Sequence, residues 1–172
     1  GDLVRTNSQR SRDDMEYELL DSGVFNDNRY FDVFVEYAKG AADDILVKIS
    51  ATNRGPDAAD LHLLPTLWFR NDWSRWIAAS NRAAEKPHLE QIEGPAGTSA
   101  VAASHPLMGS LVLSCDGDVP LLFTENETNH ERLFPGQSNA SASVKDGITD
   151  CVVQGAQGAV NPDKQGTKVA AH

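Results

Sequence analysis

The chain has 172 residues, a formal net charge of −10 and 40% hydrophobic residues. That length favours one domain with a substantial core, and the apolar content argues against disorder. No apolar run approaches the roughly 20 residues of a bilayer span, and so acidic a surface repels phosphate backbones and anionic lipid, so neither a membrane nor nucleic acid is an expected partner.

The chain opens at Gly1-Asp2 without an initiator Met or a signal-peptide pattern, which reads as a processed product or an excised piece. Arg5, Arg10 and Arg12 are offset by Asp2, Asp13, Asp14 and Glu16, so the opening segment reads as solvated or docking. From Tyr17 the dominant period is two. Phe31, Val33, Val35 and Tyr37 alternate with Asp32, Phe34, Glu36 and Ala38, which predicts a strand. Asn26-Asp27-Asn28 before it is a turn signal, and a hairpin is expected with "YELL" or "GVF" as the first arm.

A second alternation, Ile45, Val47, Ile49 and Ala51, ends at Asn53-Arg54-Gly55-Pro56-Asp57. A third follows from Leu61 to Phe69, with Leu61, Leu63, Leu67 and Phe69 on one face and Trp68 on the other. These two arms around a Gly-Pro turn predict a hairpin. Pro65 lacks a ladder donor and implies an edge strand or a bulge.

Residues 77–99 lose the period and read as loop, or as a short helix near Ala78 to Glu85. Strands are expected again at "GSLVLSCDG" and "VPLLFTEN". Residues 126–150 are polar and too long for an ordinary connection, so they read as a functional or docking loop. "DCVVQGA" reads as a short strand, and the closing "GTKVAAH" as the opening of another. The sum is an all-β, antiparallel, two-sheet architecture with a short helix or long loops.

Chemistry is sparsely signalled. Cys115 and Cys151 sit in apolar contexts and read as buried thiols of a reducing, cytoplasmic protein; a disulfide between them is left open. The five histidines are scattered, no CxxC or HxxxH occurs, and no cofactor or metal is expected. "DGD" at 116–118 and "DGITD" at 146–150 read as turns and not as calcium loops. Asn126-Glu127-Thr128 and Asn139-Ala140-Ser141 are glycosylation sequons, of consequence only in a secretory pathway.

Two stretches are candidates for a site. In "FTENETNHER", Glu125 and Glu127 would share one face of a strand with backbone positions about 6.5–7 Å apart. Inverting glycosidases hold their carboxyl pair about 6.5–9.5 Å apart, but on opposite sides of the scissile bond, which side-by-side groups do not straddle easily. A surface, loop-anchoring or docking pair is the competing reading. In "LPTLWFRNDWSRW", Trp68, Trp73 and Trp76 stand among Arg70, Asn71, Asp72 and Arg75. Three readings compete there: rings capping a sandwich edge, a contact surface for another domain, and a platform that stacks on sugars.

Several strings together, "RSRDDMEYELLDSGVFNDNRYFDVFVEYAK", "DILVKISATNRGPDAADLHLLPTLWFRNDWS", "LLFTENETNHERLF" and "VKDGITDCVVQGAQGAVNPDKQGTKVAAH", resemble large bacterial glucosidases of the mannosyl-oligosaccharide glucosidase type, glycoside hydrolase family sixty-three. The likeness runs from about Asp2 to His172. It implies a β-sandwich of the super-sandwich type, truncated here, followed in the longer proteins by an (α/α)6 toroid. It implies inverting hydrolysis of α-glucosidic bonds, with acid and base on the toroid, so no catalytic residue is carried over to this chain. Where the group continues with Trp-Ser-Trp, this chain has Ser74-Arg75-Trp76, and no role passes to Trp76.

On that resemblance Trp68, Arg70, Asn71, Trp73, Glu125, Asn126, Glu127, Asn129 and Arg132 would face the absent catalytic domain or the rim of its active site. The chain alone would be inactive. An independent carbohydrate-binding module and a purely structural domain are the rival expectations, with an oligosaccharide as the module's partner. Open sheet edges of a truncated sandwich would also pair two copies of the chain.

Overall fold

The computed structural model describes residues 1–73 and 85–172, which form two compact units, Gly1–Leu61 and His62–His172. Regular structure is mostly strand, paired antiparallel in three sheets, with a few short helices. Among the described residues no helix is long and apolar enough to cross a membrane. The helix expected near residues 78–85 falls almost wholly in 74–84, outside the described residues, as do Arg75 and Trp76.

The first unit opens with α1 (Asp2–Asn7). Asn7 pins the following loop reciprocally: its amide donates to the Tyr17 carbonyl at 2.9 Å, and the Tyr17 N–H donates back to its side-chain oxygen at 2.8 Å. The unit's sheet is one long hairpin, β1 (Phe31–Ala41) against β2 (Asp44–Asn53). Both alternating runs are strands, yet each has a different partner from the one expected. "YELL" and "GVF" form no strand; Leu20–Ser22 is a 3-10 turn closed by Gly23 at φ 71°.

The reason lies in the link. Only Ala42 and Asp43 separate β1 from β2, and a short link costs less chain entropy than a long one. The resulting register sets Val33 opposite Ala51, Val35 opposite Ile49 and Tyr37 opposite Val47, so both apolar sets share one face. Asn53–Asp57 turns as expected, but it does not lead into a paired arm at Leu61–Phe69. The Asn53 side chain accepts from Gly55 N–H at 2.8 Å. Arg54 N–H donates to the Tyr30 carbonyl at 2.9 Å, and Asp57 pairs with Arg29 at 2.7 Å, so the turn is tied to the residues before β1.

The second unit holds two sheets. One is β3 (Thr66–Trp68), β9 (Lys168–Ala171) and β7 (Leu121–Thr124), with β9 central. β3 is an edge strand just after Pro65, where the missing N–H does no harm. The other sheet runs in the order β6 (Gly109–Asp116), β5 (Thr98–His105), β4 (His88–Ile92) and β8 (Gln165–Gly166). β4 and the first two residues of β5 lie in residues read as loop, and the rest of β5 in a stretch where no strand was expected. Their small side chains, Ala100, Ala102 and Ala103, give little hydrophobic signal but fit a strand flanked on both sides.

The sheets meet over one core. Phe69, Trp73, Leu121, Phe123, Val169 and Ala171 pack with Leu89, Val101 and Ala103 of the four-stranded sheet. On the other face of the three-stranded sheet, Leu122 and Ala170 pack with Ile148, Cys151 and Val160. All four residues of β7 are buried, and each large apolar side chain buried there contributes about 1.5–3 kcal/mol.

Ile148 and Cys151 lie on helix α3 (Gly147–Gln154), where a strand was expected at "DCVVQGA". Their spacing of three puts both on one helical face, and Gly155 ends the helix at φ 72°. Between β7 and α3, α2 (His130–Leu133) is a single turn capped by Asn129. Both cysteines are free thiols; burial, then the Asp116 charge, pushes the Cys115 thiol up.

Two glycines permit close approach at the end of β7. A Cβ on Gly166 would meet the Thr124 carbonyl oxygen inside van der Waals contact, and one on Gly147 would meet that of Ala159. Gly166→Ala and Gly147→Ala are therefore each expected to destabilise the chain by about 1–3 kcal/mol, read from the urea midpoint.

Candidate functional site

The candidate carboxylates lie just past the end of β7, in the loop that β7 and β9 carry. Glu125 N–H donates to the Ser143 carbonyl at 2.9 Å, and Asn126 N–H to the Thr167 hydroxyl at 2.8 Å. The Thr167 hydroxyl in turn donates to Glu125 Oε2 at 2.6 Å. The Asn126 amide donates to the Phe69 carbonyl at 2.8 Å, and Asn71 Nδ2 donates to the Asn126 carbonyl at 3.0 Å. These bonds tie the post-β7 loop to the chain leaving β3.

One cation joins the two acids. Lys86 Nζ lies 3.0 Å from Glu125 Oε2 and 2.9 Å from Glu127 Oε1, and 5.8 Å from the centre of the Trp73 ring. The Trp73 indole N–H also donates to Glu127 Oε1, at 3.1 Å. Burial pushes the Glu127 carboxyl up, but the bonds from Lys86 and Trp73 outweigh it and hold the group below its ordinary value. Burial likewise pushes the Lys86 ammonium down, and the two carboxylates more than reverse this.

The chemical consequence is direct. An inverting pair needs one protonated and one ionised carboxyl with room for a water between them. Here an ammonium bonded to both acids occupies the space where that water would sit, and it favours the ionised form of Glu127. The arrangement suits a structural clasp.

Trp73 is 3% exposed and belongs to the core, so its ring offers no face to a ligand. Trp68 differs. It lies on the face opposite Leu67 and Phe69, as its place in the alternation requires, and is 53% exposed. Its cross-strand partner is Lys168, whose Nζ donates to the Lys145 carbonyl at 2.8 Å. Arg70 is exposed and Asn71 half-buried.

Asn129 and Arg132 belong to a second, adjoining network. Asn129 Oδ1 accepts from Arg132 N–H at 3.1 Å, and its amide donates to both Asp146 oxygens at 3.2 and 3.1 Å. Arg132 Nη1 lies 3.0 Å from Asp146 and 3.7 Å from Asp150. The acids of "DGITD" are thus engaged by a guanidinium. The sequon amides are also spoken for: Asn126 Nδ2 by Phe69, and Asn139 Nδ2 by Asn129 Oδ1 at 3.0 Å. Among the described residues no group of three His, Cys, Asp or Glu side chains is placed to hold a metal.

Of the residues singled out in the sequence, Asn71, Trp73, Glu125, Asn126 and Glu127 meet around one clasp, and Asn129 and Arg132 around the next. Asn139 and Asp146, noted in the sequence only as a sequon and a turn, complete the second, and Lys86 and Thr167, which carry no local sequence signal, complete the first. Lys86 is 39 residues from Glu125 along the chain, and only the sign of its charge hinted at the pairing.

Lys86→Met leaves two acids facing each other without a counter-ion. Glu127, held low in the folded chain, adds stability that is present above its ordinary value of 4.5 and is lost as pH falls through the folded value. Lys86, held high, adds stability that is present below 10.5 and is lost as pH rises through its folded value. Because the Lys86 side chain is 40% exposed, screening limits the loss at neutral pH to about 1 kcal/mol. Urea titrations should show that gap at pH 7 and its disappearance as pH falls through the folded value of Glu127, below 4.5.

No family model matches the chain, and no solved structure matches it. It is 32% identical over 200 aligned positions to the uncharacterized protein YMR196W of Saccharomyces cerevisiae. That match covers 99% of this chain and 18% of the yeast protein, so the chain spans less than a fifth of the length of this relative.

Proposed function

We propose that this chain is a non-catalytic β-sandwich portion of a longer, cytoplasmic glycoside hydrolase of the α-glucosidase type. It buttresses an (α/α)6 catalytic domain and helps to shape the substrate entrance. The observation that carries the non-catalytic part is the single Lys86 ammonium within about 3 Å of both Glu125 and Glu127. A pair so neutralised does not divide into general acid and general base. The glucosidase part rests on the resemblance of the long strings between Asp2 and His172. The short reach of the chain along its yeast relative agrees with a role as part of a larger protein. The ordered polar loop from Glu125 to Asp150, with Trp68 and Arg70 at the neighbouring strand end, has the mixed polarity of an interdomain seam.

The chain alone is expected to release no glucose from α-glucosidic oligosaccharides. Turnover that disappears in Glu125→Gln would overturn the reading.

A second reading, a carbohydrate-binding module, is favoured by one observation: the half-exposed indole of Trp68 on the edge strand β3. Titration with α-gluco-oligosaccharides, followed by tryptophan fluorescence, separates the two. Saturable quenching abolished in Trp68→Ala supports the module, and an unchanged spectrum supports the buttress. In either case the outer strands β3 and β6 present sheet edges through which two copies of the chain would pair.

A further inference from the structure

The histidines, scattered in sequence, are not all scattered in space. His62 and His172 are 110 positions apart, yet His62 Nδ1 lies 2.9 Å from His172 Nε2. Their ring centres are 5.1 Å apart and the planes are tilted by 45°. We propose that this pair is a binding site for a late first-row divalent cation, Cu2+ first, with Zn2+ and Ni2+ as weaker ligands.

The sheet sets the geometry. β3 and β9 run antiparallel from Trp68–Lys168 to Thr66–Ala170, and the ladder continues with the Ala171 N–H donating to the Pro65 carbonyl at 3.1 Å. The His172 N–H then donates to the Pro120 carbonyl at 2.9 Å, which anchors its backbone to the residue before β7. His62 lies in the irregular segment leading into β3, three residues before the anchored Pro65. The anchored His172 backbone and the anchored Pro65 thus bring the two imidazoles within reach of one ion.

The separation fits coordination. Imidazole nitrogens about 2.0–2.1 Å from one ion stand about 2.9 Å apart at a right angle and about 3.3 Å apart at the tetrahedral angle. At 2.9 Å the pair matches adjacent positions of a tetragonal Cu2+ site and is close to a Zn2+ site. In the hydrogen-bonded pair one facing nitrogen carries the proton and the other a lone pair. For both lone pairs to reach a cation, that proton moves through solvent to the outer nitrogen of the same ring, and both rings stay neutral. The rings, both exposed, then turn about their soft terminal torsions to converge on the ion. Water fills the remaining positions, since two side chains supply only half of a four-coordinate shell. The order of preference follows the stability series, in which Cu2+ exceeds Ni2+ and Zn2+. Bound there, the ion would clip the segment entering β3 to the end of β9.

The test is a Cu2+ titration of the whole 172-residue chain at neutral pH, with electron paramagnetic resonance to count coordinated imidazole nitrogens. One Cu2+ carrying two imidazoles is expected. His62→Ala and His172→Ala should each weaken binding at least about tenfold and leave at most one imidazole. A chain with Asn in place of His88, His105 and His130 should bind as the wild type does. Since His62 and His172 are exposed, their replacement leaves the core intact, and an unchanged far-ultraviolet circular dichroism spectrum verifies that. Equal Cu2+ affinity in His62→Ala and the wild type, or a signal that vanishes with the other three histidines, would overturn the site.

Discussion

Burial of β7 on both of its faces is the constraint on which the second unit depends. Leu121 and Phe123 point into the core between the sheets, while Leu122 points at α3. A strand so placed cannot slip by one residue without exchanging the two sets, because side chains alternate with a period of two. Its register with β9 is therefore held from both sides, and with it the position of everything that follows Thr124. The loop bearing Glu125 and Glu127 starts from a fixed point. Gly166 lets its backbone approach that of Thr124 at a distance no side chain would tolerate, and Gly147 does the same against Ala159.

Electrostatics completes what packing begins. In a chain with 25 acidic and 15 basic residues, a pair of acids near one another is an expense that a single well-placed lysine can relieve. Lys86 reaches both carboxylates, and Trp73 adds a neutral donor from the core side. The same economy appears one turn further on, where Arg132 spans Asp146 and Asp150 while Asn129 holds Asp146 from the other direction. Acid clusters that look reactive in linear sequence are in this way turned into fastenings. Trp68 stands apart from both fastenings, with more than half of its surface in solvent.

The hairpin of the first unit follows a simpler logic. Its two runs were each legible as strands, because Phe31, Val33, Val35 and Tyr37, and Ile45, Val47 and Ile49, recur at every second position among mostly polar residues. Their pairing was not legible, because Asn53–Asp57 carries a stronger turn pattern than Gly40–Asp44 and draws attention to the wrong junction. Chain entropy favours the shorter link, and the Arg29–Asp57 and Arg54–Asp32 ion pairs use the stronger turn to close the open end of the hairpin.

By itself the sequence determined the class of the fold: antiparallel strands, an edge strand after Pro65, β6 and β7 where apolar runs return, and Trp68 on the side away from Leu67 and Phe69. These are local properties, set by a period of two and by the missing donor of proline. Tertiary structure decided the partners. It made "DCVVQG" a helix, because Ile148 and Cys151 bury the same helical face on Leu122 and Ala170. It made a strand of the Ala-rich segment before Pro106, since small side chains gain their stability from two neighbouring strands and carry little of it alone. It drew Lys86 to Glu125 and Glu127, and His62 to His172, across separations that no periodicity spans, because charge and ring contacts of this kind exist only once the sheets have closed.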